Sequence, residues 1–304
     1  MTNILITGGL GFIGRTLAEK LIAEGQYNVH IIDVRDCPEE LSDKIDYTPL
    51  DITNREALAM YFRQHSFDGV VHLAAVSRVE DAERDKEFCI RVNYGGTKNI
   101  VDNVSKCENT WMIFGSSREV FGEQEIQPVS ELADLCPVNV YGHTKLEGEL
   151  LTERLKKYVI LRFSNVYGNS YDRPERVIPI FLRQALNNQD LTLHGGKQVI
   201  DFTYIDDTVD AIMSSIRLCE REDDIREHIL VSPGVTNSLL SVAKTIVEVT
   251  NSKSNIVIDE KSKRTYDVET FVGDTHHRKE ILLDREFISV KDGLLRLLKH
   301  RPLT

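Results

Sequence analysis

Tyr141 and Lys145 are the two residues whose types and spacing point most directly to chemistry. They stand four positions apart in YGHTK, at the start of a predicted helix, so both side chains lie on one helix face. A free phenol has a pKa of about 10, and a neighbouring ammonium favours its phenolate form. A phenolate can accept the proton of an alcohol while the alcohol carbon loses hydride. Exposed Tyr and Lys residues also occur at this spacing without function. Whether this pair is catalytic therefore depends on the elements that surround it.

Two serines, Ser116 and Ser117, end a predicted strand and form a second candidate group. In sheets of parallel strands, active-site groups lie outside the carboxyl ends of the strands. A serine hydroxyl at that place can hydrogen-bond a reacting oxygen. Turn or capping roles for these serines are an equally good interpretation of the sequence alone.

Short apolar runs alternate with amphipathic stretches through the first half of the chain and would position these groups. The predicted strands are Asn3–Thr7, Val29–Val34, Gly69–Leu73, Thr110–Ser116 and Val159–Phe163. The predicted helices are Gly14–Glu24, Arg55–Gln64, Asp85–Lys106 and Tyr141–Lys156. Strand-length apolar runs separated by helices are typical of parallel strands buried on both faces. With right-handed crossovers, they predict an α/β fold with a Rossmann doubly wound parallel sheet.

A glycine-rich turn between the first strand and helix indicates a dinucleotide site. Gly8, Gly11 and Gly14 permit a sharp turn, a close approach of pyrophosphate and tight helix packing. The helix N-terminus adds free N–H groups and a positive dipole end. Asp33 ends the next strand, where a carboxylate accepts hydrogen bonds from ribose hydroxyls and repels a 2′-phosphate. The pattern favours NAD over NADP, with Arg35 as the nearby residue that could host a 2′-phosphate.

Beyond residue 165 the elements become shorter and irregular, which predicts a smaller mixed C-terminal substrate-binding domain. We assign residues 1–165 to an NAD-binding domain and 166–304 mainly to the substrate-binding domain, with 198–219 returning to the first. The stretch 165–176 is predicted to be a polar loop, and Asp206 or Asp207 to cap a helix. The charged run at 220–227 is typical of a solvated linker.

Charge and composition exclude several classes. A formal net charge of −11 disfavours nucleic acid and anionic membrane as partners. No apolar run approaches the roughly 20 residues of a membrane span, and the glycine-broken start does not resemble a signal peptide. Five scattered cysteines fit reduced thiols, so we predict a cytoplasmic protein. No zinc or calcium motif occurs, and we predict no metal.

Taken together, the motifs resemble those of extended short-chain dehydrogenases/reductases, the NAD-dependent nucleotide-sugar epimerase/dehydratase family. The resemblance covers nearly the whole chain and is specific for the superfamily rather than for one reaction. The motifs occur in the family's order: GGLGFIG, Asp33, Asp51-Ile52, His72-Leu-Ala-Ala75, Asn93, SSREVFG, YGHTK, Arg162-Phe-Ser-Asn-Val-Tyr-Gly168 and Asp201-Phe-Thr-Tyr-Ile-Asp-Asp207.

The resemblance implies a role for each matching residue. The implied catalytic residues are Tyr141 as base, Lys145 as its partner, Ser117 and Glu119. The implied cofactor-binding residues are Gly8, Gly11, Phe12, Ile13, Gly14, Asp33, Asp51, Ile52, Leu73, Ala74, Ala75, Asn93, Ser116, Tyr141 and Lys145. The implied substrate-binding residues are Arg118, Asn165, Val177 and Arg264, with an arginine clamp on the diphosphate. The implied partners are a nucleotide-diphosphate sugar and a second copy of the chain. The leucines at 146, 150, 151 and 155 could form the surface of that homodimer or face the sheet.

Three positions depart from the family pattern. Ile200 replaces the arginine that usually precedes Asp-Phe-Thr-Tyr and contacts the diphosphate. Arg118 stands where 4,6-dehydratases carry an aspartate, and it could pair with Glu119, bind a C6 carboxylate or point to solvent. Phe121 replaces the usual tyrosine, with little expected effect.

The resemblance implies chemistry through a 4-keto sugar, and the missing dehydratase acid favours a 4-epimerase. A 4,6-dehydratase or uronate decarboxylase that uses Glu119 is the alternative. A non-catalytic dinucleotide-binding or sensor protein is the alternative of another class. The presence of Tyr141, Lys145 and Ser117 argues against it, since a sensor could lose any of them.

Overall fold

The computed structural model describes residues 1–195, 198–259 and 268–300. The chain forms two compact units. Unit 1 comprises residues 1–122, 134–163 and 209–229, and unit 2 comprises residues 123–133, 164–208 and 230–304.

The strands have the following bounds: β1 Thr2–Thr7, β2 Tyr27–Asp33, β3 Asp46–Pro49, β4 Gly69–His72, β5 Trp111–Ser117, β6 Tyr158–Phe163, β7 Asn165–Tyr167, β8 Leu191–His194, β9 Val199–Ile200, β10 Phe202–Tyr204, β11 Arg226–Val231, β12 Asn237–Ser238 and β13 Ile256–Asp259. The α-helices have the following bounds: α1 Phe12–Glu24, α2 Glu39–Ser42, α3 Arg55–Gln64, α4 Val79–Arg84, α5 Lys86–Ile90, α6 Thr97–Val104, α7 Val140–Thr152, α8 Val177–Leu186, α9 Ile205–Arg221, α10 Leu239–Thr250, α11 His276–Ile281 and α12 Val290–His300. Two further turns are helical: a π-helical segment at Arg91–Gly96 and a 3-10 segment at Arg118–Val120.

A seven-stranded sheet forms the centre of unit 1, in the order β11-β6-β5-β4-β1-β2-β3. The pairings from β3 through β6 are parallel. The order reverses between β1 and β4, so the carboxyl ends of these strands flank the crevice where ligands bind in such sheets. The core beside the sheet combines strand and helix residues, among them Leu5, Val70, Ile100, Phe114 and Ile160. The predicted fold class is confirmed.

Two strands of this sheet were not predicted from the sequence. Strand β3 has the sequence DYTP, which contains no apolar run, and it lies at the edge of the sheet. Strand β11 begins inside the charged run at 220–227, so the prediction of a linker there was wrong at both ends. Helix α9 continues to Arg221, and four residues later Ile225 accepts a hydrogen bond from the Tyr158 N–H (2.9 Å). The last three residues of β11 are buried, but the charged residues at its start made the sequence resemble a linker.

The predicted long helix at Asp85–Lys106 is divided in three. Helices α5 and α6 flank the π-helical segment, which places Asn93 in the protein interior. Helix α7 ends at Thr152, four residues before the predicted end. It begins after Asn139, whose side-chain oxygen accepts a hydrogen bond from the Gly142 N–H (2.8 Å). This N-cap sets the start of the helix that carries Tyr141 and Lys145.

The described part of unit 2 contains three two-stranded sheets, β7-β10, β9-β12 and β8-β13. Strand β7 opens the segment that was predicted to be a polar loop. Asp201 is fully buried and accepts hydrogen bonds from the Ser232 hydroxyl and from the N–H groups of Gly234 (3.2 Å) and Gly273 (3.1 Å). Helix α9 begins at Ile205, so Asp207 lies in its first turn instead of capping it. The Asp207 carboxylate binds the side chain of Arg285 (2.6 Å).

Within residues 1–195, 198–259 and 268–300, none of the helices has both the length and the apolar character needed to cross a bilayer. In the same residues, no three His, Cys, Asp or Glu side chains converge as metal ligands.

Candidate active site

The end of β5 and the first turns of α7 bring the predicted reactive groups together in unit 1. Tyr141 and Lys145 are both buried. The Lys145 ammonium donates a hydrogen bond to the Gly115 carbonyl (2.7 Å) and lies 5.8 Å from the centroid of the Tyr141 ring. Ser117, two residues beyond Gly115, closes the strand and accepts a hydrogen bond from the Glu119 N–H (3.2 Å). An ammonium this close to a phenol favours the phenolate, so the arrangement suits proton abstraction from an alcohol.

Burial governs the charge of Lys145. Desolvation lowers the pKa of its ammonium to about 8, against the smaller opposing effects of Cys89 and Glu149. The unfolded chain binds this proton more tightly than the folded chain does. The group therefore destabilises the fold most below pH ~8, and the penalty fades as the pH rises from 8 toward the ordinary value of 10.5.

We expect Lys145→Met to unfold at a higher temperature than the parent at about pH 7, and the difference to shrink near pH ~10. The same variant should lose activity, since stability and function oppose each other at this position. Thermal unfolding at the two pH values checks this. Lys106→Met, which changes an exposed lysine, is the control. A variant less stable than the parent by the same amount at both pH values would contradict the assignment.

Arg118 and Glu119 form a buried ion pair directly after Ser117. The guanidinium Nη2 and carboxylate Oε1 are 2.9 Å apart, and each residue is 7% exposed. The second carboxylate oxygen accepts a hydrogen bond from the Asn139 side chain (2.8 Å). Of the three possibilities for Arg118, pairing with Glu119 is the one observed, and pointing to solvent is excluded.

A buried network behind Lys145 was missed by the sequence analysis. The Ser116 hydroxyl donates to the Glu149 carboxylate (2.5 Å), and Arg162 binds the same carboxylate (2.8 Å). Glu149 follows Lys145 by one helical turn, so the spacing that singled out Tyr141 and Lys145 could have identified it. The Ser116 hydroxyl donates its hydrogen bond to Glu149 in this network. Its contact with a cofactor stays a prediction.

The glycine turn has the shape that a dinucleotide pyrophosphate requires. Gly8 has φ +68°, and a Cβ there would stand 2.7 Å from the backbone of Ala74. A Cβ on Gly14 would stand 2.4 Å from the Gly8 carbonyl oxygen. Helix α1, which includes Phe12 and Ile13, begins at this turn without a side-chain cap and without an acidic residue in its first turn. The N-terminal N–H groups are thus available to an anion, and the residues present fit NAD.

The carboxylate of Asp33 stands at the end of β2 beside this turn. It accepts hydrogen bonds from the N–H groups of Leu10 (3.0 Å) and Arg35 (3.0 Å). The Arg35 guanidinium donates to the Leu10 carbonyl (2.8 Å), so it lies across the glycine turn. Each carboxylate oxygen keeps a second lone pair that can accept from a ribose hydroxyl.

Other predicted cofactor residues line the same edge of the sheet. The Ala74 N–H donates to the Thr7 hydroxyl (3.2 Å), while Leu73 and Ala75 are half-buried on either side. Asn93 binds the backbone of Val76 through two hydrogen bonds, at 2.7 and 3.1 Å. It therefore holds the segment that follows Ala75 in place, consistent with a positioning function.

Asp51 and Ile52 follow β3 and differ in exposure. Asp51 is exposed and its carboxylate accepts a hydrogen bond from the Thr53 N–H (2.8 Å). Ile52 is buried, and its carbonyl accepts from Asn99 (2.9 Å), a residue that the motifs did not identify. Their contacts with adenine stay predictions.

Of the predicted substrate residues, Arg118 belongs to unit 1, whereas Asn165 and Val177 belong to unit 2. Asn165 starts β7, and its buried side-chain Nδ2 makes no hydrogen bond with any residue in the described ranges, as suits a donor that awaits a ligand. Val177 is the first residue of α8. Ile200 ends β9 and pairs with Asn237. Arg264 lies outside the described residues.

Comparison with known proteins identifies the family of the chain. The model of the NAD dependent epimerase/dehydratase family matches residues 4–230. A UDP-N-acetyl-alpha-D-glucosaminuronate decarboxylase of Bacillus cytotoxicus is 33% identical over 276 residues, 83% of this chain and 82% of that protein.

Two solved structures cover 98% of this chain and 98% of their own. They are a Thermotoga maritima UDP-glucose 4-epimerase with UDP-glucose (28% identity, TM-score 0.88) and a Bacillus cereus UDP-glucuronic acid 4-epimerase with UDP-glucuronic acid and NAD (26% identity, TM-score 0.87). The family is one of NAD-dependent enzymes, which establishes NAD as the cofactor. The chain, with its glycine turn, Tyr141 and Lys145, belongs to the NAD dependent epimerase/dehydratase family.

Proposed function

We propose that the protein is a 4-epimerase of a nucleotide-diphosphate sugar. The observation that carries the proposal is that both carboxylate oxygens of Glu119 are bound by other side chains. One of its oxygens binds Arg118 (2.9 Å) and the other binds Asn139 (2.8 Å). A carboxylate held in this way cannot turn toward a sugar C–H without breaking a buried ion pair, which is costly. Epimerisation at C4 needs no second base, whereas removal of water across C5 and C6 does.

The proposed chemistry uses three side chains of unit 1. Tyr141 takes the proton of the C4 hydroxyl, Lys145 stabilises the phenolate, and Ser117 hydrogen-bonds the reacting oxygen. NAD, when bound, supplies the hydride acceptor and donor. After the 4-keto sugar presents its other face, Tyr141 returns the proton to the C4 oxygen. The reaction is redox-neutral overall, so the cofactor is a retained catalyst.

A uronate decarboxylase is the alternative that a specific observation favours. Arg118 is buried directly beside Ser117, and a guanidinium is an apt partner for a C6 carboxylate. The relative that is 33% identical is a decarboxylase of a UDP-linked uronate. A 4,6-dehydratase fits less well, because the position of its second acid is occupied by Arg118.

The test is an incubation of purified protein with a panel of nucleotide sugars, without added cofactor, followed by mass spectrometry and NMR. We expect a product of unchanged mass with inverted configuration at C4. Loss of carbon dioxide or water would overturn the proposal in favour of the corresponding alternative.

Glu119→Gln separates these reactions further. General acid–base catalysis contributes about 10²–10⁴-fold, so an epimerase in which Glu119 transfers no proton should keep activity within about tenfold. Glu125→Gln, which changes an exposed glutamate, is the matched control. A loss greater than about 100-fold in a folded, NAD-loaded variant would contradict this expectation.

We also propose that unit 1 binds NAD and that unit 2 mainly binds the nucleotide-diphosphate part of the substrate. Asn165 would bind the diphosphate through its Nδ2, which has no hydrogen-bond partner among the described residues, and Val177 would contact the base. Arg264 would clamp the diphosphate, a contact made more important by Ile200 at the family's usual arginine position. Loss of substrate affinity in Asn165→Ala, with NAD binding unchanged, would support this division, whereas an equal loss of NAD binding would not.

We also propose that the protein is a cytoplasmic homodimer. All five cysteines are free thiols, as suits a reducing compartment. Leu151 and Leu155 pack in the core, but Leu150 on α7 and Phe88 and Ile90 at α5 are exposed apolar side chains on helices that pack together. Such a patch suits a second copy of the chain. Sedimentation velocity tests the dimer, and a monomer at micromolar concentration would overturn it.

A further inference from the structure

Two buried polar side chains, Arg162 and Ser116, bind the buried carboxylate of Glu149 behind the candidate base. Glu149 on α7 is 1% exposed, Arg162 on β6 is 3% exposed, and Ser116 on β5 is 2% exposed. Arg162 donates from Nε to Oε1 (3.1 Å) and from Nη2 to Oε2 (2.8 Å), and the Ser116 hydroxyl adds a bond to Oε1 (2.5 Å). Ser116 and Arg162 are partners in the register of β5 and β6. The carboxylate thus joins two strands and one helix.

This network ties consecutive residues of β5 to successive turns of α7. The Gly115 carbonyl accepts from Lys145, and the next residue, Ser116, donates to Glu149. Ser117 comes one residue later at the end of the strand. Tyr141, Lys145 and Glu149 follow one another at intervals of four along one helix face. The two ties therefore fix the position of Ser117 relative to the base.

The charges around Lys145 are nearly balanced. Glu149 and Arg162 cancel each other, as do Glu119 and Arg118 on the 3-10 segment. His72 on β4 is neutral, because burial lowers its pKa to about 3. Burial raises the pKa of the Cys89 thiol, and the Glu83 carboxylate on α4 is bound to the Val140 N–H (2.8 Å). Loss of the Glu149 charge would leave Arg162 as an uncompensated buried cation.

We propose that Glu149, held by Arg162 and Ser116, is a positioning residue that keeps the Lys145 ammonium charged and in register with Tyr141. It acts through Lys145 and touches neither substrate nor cofactor. The proposal deepens the proposed function but applies equally to epimerase, dehydratase or decarboxylase chemistry, since each begins with the same proton abstraction. Electrostatic support comes from the direction in which Glu149 changes the pKa of Lys145, which is upward.

The deciding experiment is an NMR titration of Lys145 in NAD-loaded protein labelled with ¹³C-lysine. The Lys145 Cε resonance is identified by its absence from Lys145→Met. In Glu149→Gln the pKa should fall by about one unit, as expected for the loss of a nearby opposite charge. In the double variant Glu149→Gln/Arg162→Met the charges balance again, and the pKa should return toward the parent value. Glu147→Gln, an exposed glutamate on the same helix, should leave it unchanged.

A purely structural network would behave differently. The double variant would then be displaced at least as far as the single one, because more hydrogen bonds are lost, and that result would overturn the proposal. An unchanged pKa in folded Glu149→Gln would also overturn it. If Glu149→Gln does not fold, Arg162→Gln is the substitute variant, because it removes the positive charge of the pair instead of the negative one. The pKa of Lys145 should then rise. A fall or no change in that pKa would refute the proposal.

Kinetics give a second measurement once a converted sugar is known. The alkaline limb of kcat/KM should move to lower pH in Glu149→Gln by the same amount as the NMR pKa, and should recover in the double variant. If the proposed reaction is wrong, no panel sugar is epimerised, yet the NMR result still stands. The two failures are therefore distinguishable.

Discussion

Tyr141→Phe should lower kcat by about 10²–10⁴-fold, the usual contribution of a positioned general base, while the protein retains NAD. The substitution removes only the hydroxyl. The ring of Tyr141 would still pack with Cys89 and Ala82, and Lys145 would still bind the Gly115 carbonyl (2.7 Å). The loss should therefore appear in kcat, with little change in the thermal stability of the fold. Steady-state turnover of a converted nucleotide sugar measures it.

Tyr94→Phe is the matched control for this experiment, because Tyr94 is an exposed tyrosine of the same unit. It should keep the parent kcat. An active Tyr141→Phe enzyme, within about tenfold of the parent, would show that another group accepts the proton. An inactive variant that has also lost NAD would indicate a structural function for the hydroxyl instead.

Gly14→Ala should reduce NAD affinity about tenfold to hundredfold. A Cβ on Gly14 would meet the Gly8 carbonyl oxygen at 2.4 Å and the Gly9 Cα at 2.8 Å. Both are backbone atoms of the glycine turn itself, so relief of the clash must move the groups that surround the pyrophosphate. Overpacking of this kind costs roughly 1–3 kcal/mol, which corresponds to that loss. Isothermal titration of NAD-depleted protein with NAD measures the affinity.

Gly95→Ala controls for the general effect of adding a methyl group. A Cβ at Gly95 meets no atom within 4 Å, and the residue lies in a helical segment. This variant should bind NAD as the parent does. Equal affinities for Gly14→Ala and the parent would show that the turn does not contact the cofactor, and would remove the main structural argument for its function.

The sequence alone determined the fold class and the candidate residues Tyr141, Lys145 and Ser117. Buried parallel strands must be apolar on both faces, so β1, β4, β5 and β6 are visible as apolar runs. The glycines of the first turn and the spacing of Tyr141 and Lys145 are local features, because backbone conformation and helical periodicity act over a few residues. Such features can be read without knowledge of distant contacts.

Tertiary structure decided what these local patterns leave open. Strand β11 was hidden, since its exposed first residues are charged and only its pairing in the sheet makes it a strand. Likewise, the orientation of Arg118 depends on Asn139, a residue about twenty positions away that holds the other oxygen of its partner Glu119.

Glu149 is the clearest case. Its spacing from Lys145 places it on the same helix face, but only the fold brings Ser116 and Arg162, from two neighbouring strands, onto its carboxylate. Periodicity places a side chain on a face of a helix, but the partners on that face come from distant parts of the chain. A buried charge is tolerated only when those partners converge on it, and that convergence is a property of the folded protein.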